Sequence, residues 1–346
     1  GGVATLHLTQ EVPATPGQSD KQPVPIPLRL ALFDPATGKH GGEQLVVLDK
    51  AADSIAFPGH ATRPVLSINR GFSAPVALDA GLSEDDLVFL AAHDDDPFAR
   101  YEALQSLIVG HLVGVLDGSA DDNGRQAGRK AIAQALAAVL DDAAIDDLMR
   151  GELLILPGEA YLAEQLQQAD PCAIWREREA LKAWLCSELE ARFTALHDRA
   201  SAVPFALDAT ARGARKVKTQ ALIYLAAGNP AEAARRAAAQ YRAADNMTDR
   251  QGSLMVLCGL DTPLREECLA DFHARFAGNA LVIDKWFSLQ AGSMHPDALA
   301  HAGALAAHPD FTLNNPNRVR ALHMATAVNG HAFHDASGEG YRRIAD

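Results

Sequence analysis

The chain has 346 residues, 48% of them hydrophobic, and a formal net charge of −13. This length suits two or more domains and allows about 75% of the unfolded surface to be buried. The acidic balance excludes nucleic acid and anionic membrane as main partners, since both are bound through clustered Lys and Arg.

No apolar stretch reaches the roughly 18 residues of a transmembrane helix. The N-terminus has no basic segment followed by an apolar core, so no signal peptide is expected. Cys172, Cys186, Cys258 and Cys268 include no C-x-x-C pair. They read as small hydrophobes of a reducing compartment, and the expected location is cytoplasmic.

Nine of the 18 prolines fall within the first 80 residues. There the apolar period is two: Leu6 and Leu8, then Val24, Ile26, Leu28, Leu30 and Leu32, with runs at Leu45–Leu48 and Pro64–Ile68. Turn residues separate these runs, as at Asp34-Pro35-Ala36-Thr37-Gly38, Gly41-Gly42 and Pro58-Gly59. The pattern predicts an all-β, immunoglobulin-like sandwich over residues 1–80, with about seven short strands. Pro25 and Pro27 remove two ladder donors, which places the start of the second strand at an edge.

The period turns helical at Ser83, where Ser83 and Asp86 suggest a capping box. Pro97 opens a helix with Tyr101, Leu104, Ile108, His111, Leu112 and Val115 on one face. Residues 121–128 read as a polar connection. Helices are expected over 129–140, 159–168 and 171–199, the last with Trp175, Leu181, Leu185 and Leu189 facing inward.

Pro230, Pro263 and Pro296 stand 33 residues apart, each before an apolar-periodic segment. Proline is favoured in a first helical turn, and a fixed period of this size marks stacked helix pairs. Partner helices begin near Asp208, Asn246, Leu281 and Asn315. Residues 81–346 therefore predict an all-α superhelical, HEAT-like solenoid, cut short at its C-terminus.

Reactive groups are scarce. None of the 13 histidines opens an H-E-x-x-H, and no nucleophile elbow, Walker loop or dinucleotide fingerprint occurs. His331 and His334 read as solvated loop histidines. His295, His301 and His308 lack ligand spacing on one helical face. Asp94-Asp95-Asp96 precedes Pro97 and reads as a helix cap. No catalytic residue and no metal ligand is assigned.

One segment departs from local rules. In Asn315-Pro316-Asn317-Arg318-Val319-Arg320, two arginines occupy the positive end of a helix, where acids are favoured by about 0.3–1 kcal/mol. Either the guanidiniums bind a carboxylate or phosphate ligand, or each pairs with a nearby acid.

The strand region HLTQEVPATPGQSDKQPVPIPLRLALFD, the junction NRGFSAPVALD and the segments HDDDPFARYEALQSL, ADNMTD, LVIDKWFSLQA and FTLNNPNRVRAL resemble, in order, bacterial aminopeptidase N of the gluzincin zinc aminopeptidase family. The resemblance covers nearly the whole chain. It implies the small β-sandwich and the C-terminal superhelix of a four-domain enzyme whose catalytic domain precedes Gly1. The family's H-E-x-x-H and G-x-M-E-N motifs are absent, so no catalytic or zinc-binding residue carries over, and zinc belongs to the full-length enzyme alone. The implied partners are its own catalytic domain, over whose cleft this region closes, and peptide substrates. The match of NPNRVR to the family's chamber-facing stretch implies Arg320 as a substrate-binding residue, with Arg318 second. The competing expectation is a sandwich-plus-solenoid scaffold that binds peptides or proteins.

Overall fold

A computed structural model of the chain describes residues 2–345. The chain divides into two compact units, Gly1–Ile108 with Lys130–Val139, and Val109–Arg129 with Leu140–Asp346.

In the first unit six strands form two sheets. β1 (Val3–Thr9) pairs antiparallel with β5 (Ala52–Pro58). In the other sheet β2 (Ile26–Asp34) pairs with β3 (Lys39–His40), β4 (Gln44–Leu48) and β6 (Val65–Ile68), all antiparallel. Alternation along β2 sends Ile26, Leu28, Leu30 and Leu32 to one face, where they join Leu6, Leu8, Leu48, Ile55 and Phe57 in the sandwich core. Ala31 and Phe33 leave by the other face and meet Val65, Leu90 and Ala103. This second cluster draws α1 (Glu84–His93) and the first part of α2 (Pro97–Leu116) into the same unit as the strands.

The start of β2 is an edge, as its prolines require. β4 flanks Ile26–Leu30, whereas β6 pairs only from Leu30 onward. The Arg29 N–H on the open side donates to Ser73 Oγ at 2.9 Å. Pro27, two residues earlier, presents no donor to that side.

The capping box forms: Asp86 N–H donates to Ser83 Oγ, and Ser83 N–H to Asp86 Oδ2. The aspartate run is structural. Asp96 Oδ1 accepts from Ala99 N–H at 2.8 Å and from Gly71 N–H at 3.0 Å. Buried Arg70 reaches Asp94 at 3.1 Å and Asp95 at 2.5 Å. Burial pushes the Asp94 carboxyl above its usual range.

The second unit is helical. It holds α4 (Asp147–Leu153), α5 (Glu159–Glu164), α6 (Pro171–Ser201), α7 (Ala209–Gly228), α8 (Pro230–Ala243), α9 (Met247–Cys258), α10 (Pro263–Phe276), α11 (Ala280–Ala291) and α12 (Ala298–Ala306). Side-chain caps start the repeat helices: Asp208 accepts from Ala211 N–H, Asn229 from Glu232, Asn246 from Asp249, and Asn279 from Val282. Buried residues from α7 to α12, including Leu222, Tyr241, Leu257, Phe272, Phe287 and Leu305, form one continuous core.

Several boundaries differ from expectation. α3 runs Asp122–Asp141, because Asp121 Oδ1 caps Gly124 N–H at 2.7 Å and turns the polar stretch into a first helical turn. α4 is extra, capped by Asp146. α5 ends at Glu164. Pro230 and Pro263 open helices, but Pro296 lies in the turn before α12. Among the described residues no helix is long and apolar enough to cross a membrane.

Candidate functional site

The rhythm of helix pairs changes after α12. Pro316–Val319 forms α13, Arg320–Met324 a π turn, and Ala325–Val328 α14, with right-handed backbone at both ends of the π turn. Single π turns are rare and concentrate at functional sites. Asn315 Oδ1 caps the start by accepting from Asn317 and Arg318 N–H. Thr326 Oγ1 donates to Leu322 O at 2.8 Å within the widened helix.

The two arginines are used differently. Arg318 is buried. Its Nε donates to Asp284 Oδ1 at 2.5 Å, its other nitrogens to the carbonyls of Asp310 and Ala280, and its guanidinium lies 4.7 Å from the Phe287 ring centroid. The misplaced charge is thus neutralised inside the fold by the nearby acid. Arg320 is exposed, with Asn317 Oδ1 at 3.5 Å and no carboxylate partner among the described residues. The steps of four from Arg320 lead to Met324 and Val328, 57% and 72% exposed, so a guanidinium heads an apolar strip.

Asn329 follows, buried, and its amide donates to the carbonyls of Ala291 and Ser293 at the end of α11. α15 (Gly330–Phe333) is a single turn, and α16 spans Glu339–Ala345. His331 is not a solvated loop histidine. It is buried and stacks on Trp175 at 4.4 Å between centroids, and burial pushes its imidazole below the usual histidine range. His334 lies 2.5 Å from the Tyr341 hydroxyl.

One grouping escaped the sequence reading. His273, His308 and Asp310 bring ligand atoms to within 4.8 Å of one another. His273 and His308 lie 35 residues apart, one step of the repeat. The period could have found them, since stacking places corresponding positions of successive repeats side by side.

Two family models match the chain. One, a domain of unknown function (DUF3458) with an Ig-like fold, matches residues 1–81; the other, a domain of unknown function (DUF3458_C) with ARM repeats, matches residues 84–346. The chain is 32% identical over 345 residues to a protein of Escherichia coli strain K12 named Aminopeptidase N, covering 97% of this chain and 40% of that protein. It is 37% identical over 305 residues to Aminopeptidase N of Caulobacter vibrioides, covering 88% of this chain and 35% of the relative. It is also similar to the crystal structure of Legionella pneumophila aminopeptidase A in complex with aspartic acid, with a TM-score of 0.80 and 26% identity, covering 99% of this chain and 40% of that one. The chain therefore spans about two fifths of the length of these relatives. With ARM-type helical repeats over residues 84–346 behind an Ig-like domain that matches DUF3458, the chain belongs to the DUF3458_C family.

Proposed function

We propose that this chain is the noncatalytic C-terminal region of a zinc-dependent aminopeptidase that removes N-terminal amino acids from peptides. One observation carries the reading: the chain aligns almost end to end with two fifths of proteins named Aminopeptidase N, yet holds neither H-E-x-x-H nor G-x-M-E-N. In this reading residues 1–80 are the sandwich domain and 81–346 the superhelical domain, although α1 and the start of α2 pack in the same compact unit as the strands. Zinc would polarise the scissile carbonyl and activate water in the catalytic domain. No residue here is assigned to that zinc, and no step is derived through it.

In this reading the helical unit closes over the catalytic cleft and lines the substrate chamber. The exposed strip of Arg320, Met324 and Val328 supports that role, since large apolar side chains left uncovered suit an enclosed peptide-binding surface. Arg320 offers a fork of donors to a peptide carboxylate, while Arg318 holds the segment in place. The relatives' names do not favour a scaffold that only binds. The four free cysteines suit a cytoplasmic enzyme.

The chain alone should not hydrolyse alanyl anilides; turnover that survives removal of contaminating peptidases would overturn the assignment. In the full-length enzyme, Arg320→Ala should weaken short peptides by about 10–100-fold, the worth of a charge-assisted hydrogen bond. Amino-acid anilides, which lack a C-terminal carboxylate, should be affected much less. Equal losses on the two substrates would count against carboxylate capture.

A further inference from the structure

We propose that His273, His308 and Asp310 form a binding site for a divalent transition-metal cation of the zinc type. The site lies wholly within the helical unit and does not depend on the aminopeptidase reading.

The repeat brings the ligands together. His273 lies in the last turn of α10, while His308 and Asp310 flank Pro309 in the turn after α12. His273 Nε2 is 2.6 Å from Asp310 Oδ2, and His308 Nδ1 is 4.0 Å from the same oxygen. Tetrahedral zinc, with bonds of about 2.0–2.2 Å, sets its ligand atoms roughly 3.4 Å apart. These two separations bracket that value and all three ligand atoms lie within 4.8 Å of one another, so shifts of up to about 1.5 Å would admit the ion.

The hydrogen bonding of His308 also fits, while His273 Nε2, which at 2.6 Å donates to Asp310 Oδ2, would give up that proton on binding a cation. Asp310 N–H donates to His308 Nδ1 at 3.1 Å. That nitrogen therefore carries its lone pair, which accepts from the Asp310 amide. A cation would exchange this hydrogen bond for a coordinate bond, and the exposed amide would turn to water. Two imidazoles and one carboxylate favour zinc, cobalt, nickel or copper over magnesium and calcium, which prefer all-oxygen shells.

The surroundings hold the ligands while leaving an entry. Trp286 lies 4.9 Å from the His273 ring and 5.1 Å from the His308 ring, and Phe287 stands 5.8 Å from His308. These rings form an apolar wall that restricts the imidazoles. The open side is solvent, since both histidines are half-buried and Asp310 is exposed, which leaves room for water as a fourth ligand. The neighbouring cation, Arg318, is neutralised by Asp284 at 2.5 Å, and it steadies the turn by donating to the Asp310 carbonyl.

The test titrates Zn²⁺ into the metal-stripped chain by calorimetry in a non-coordinating buffer, with Mg²⁺ as control. Co²⁺ absorption reports the ligand set. A single strong Zn²⁺ site and a tetrahedral Co²⁺ spectrum without thiolate charge transfer are expected. Loss of an outer-shell partner alone costs about 10–100-fold in affinity, so His273→Gln, His308→Gln and Asp310→Asn should each cost about 100-fold or more. Circular dichroism and the metal-free unfolding midpoint check that each variant is folded; His308→Gln and Asp310→Asn, which alter only the turn, serve if His273→Gln disturbs α10. The proposal is overturned by Zn²⁺ binding no tighter than Mg²⁺, by undiminished binding in any folded variant, or by a thiolate–cobalt band.

Discussion

Arg318 on α13 holds Asp284 on α11, Nε to Oδ1 at 2.5 Å, with side chains only 7% and 14% exposed. The pair joins two segments far apart in the chain, NPNRVR and LVIDKWFSLQA. Removing one partner of a buried pair strands the other charge and typically costs about 3–5 kcal/mol. Asp284→Asn should therefore lower the urea midpoint of the helical unit by a corresponding amount. A loss below about 1 kcal/mol would show that the carbonyls of Asp310 and Ala280 suffice for Arg318.

Arg320 gives the opposite expectation. Its side chain is exposed, and among the described residues its hydrogen bond goes to Asn317 Oδ1 at 3.5 Å. Arg320→Ala should change stability by no more than about 0.5 kcal/mol, as usual for such surface positions. A larger loss would assign it a structural role and weaken the case for a ligand-facing residue. Comparing the two arginine variants by the same denaturation protocol separates anchor from free donor.

His111 should make stability fall in mild acid. Burial first, then Arg129 and Arg125, pull its imidazole from 6.5 down to about 4. The unfolded chain takes up the proton near 6.5 and the folded chain only near 4, so this contribution is full above 6.5 and lost as pH falls to 4. The size is about 3 kcal/mol. Burial depresses His197 and His331 in the same direction. Urea unfolding across this range should give a shallower pH slope in His111→Gln than in the parent; parallel slopes would rule out His111 as a source.

At Gly213 on α7, an added Cβ would come within 2.8 Å of Leu148 N and 2.9 Å of Asp147 Cβ on α4. Alanine is the better helix former by about 1 kcal/mol. Overpacking against backbone, which cannot rotate away, costs about 1–3 kcal/mol. Gly213→Ala should thus lower the thermal midpoint. A rise would mean that α4 yields easily and that the contact is not tight.

Much of the architecture was legible in residue order. The period-two run from Ile26 to Leu32 gave β2 and its core face, and Pro27 gave its open edge. Ser83 with Asp86, Asn246 with Asp249, and Pro230 and Pro263 marked helix starts, since caps and proline act within a few residues of themselves. α3 was misread because a polar first turn held by Asp121 looks like a loop in composition. β5 was missed because Ala52–Pro58 carries only Ile55 and Phe57 as large apolar residues, and α4 because a helix of seven residues is too short to show a period.

The site residues were legible only as types. NPNRVR showed two cations at a helix start but not which was free. That depended on Asp284, 34 residues earlier, and on the packing that turns Arg318 inward. Asp94 and Asp95 showed as acids before a helix, while their partner Arg70 came from the junction NRGFSAP. His273 and His308 carried no local signal.

The sequence by itself determined the division into strand and helix, the repeat and most caps, because these rest on interactions a few residues long. Tertiary structure alone decided which charges are spent and which remain available. It buried Arg318 and exposed Arg320, stacked His331 on Trp175, and set His273 beside His308. Those outcomes depend on close packing between segments far apart in the chain, where desolvation and partner geometry, rather than residue type, decide the state of a charged or polar group.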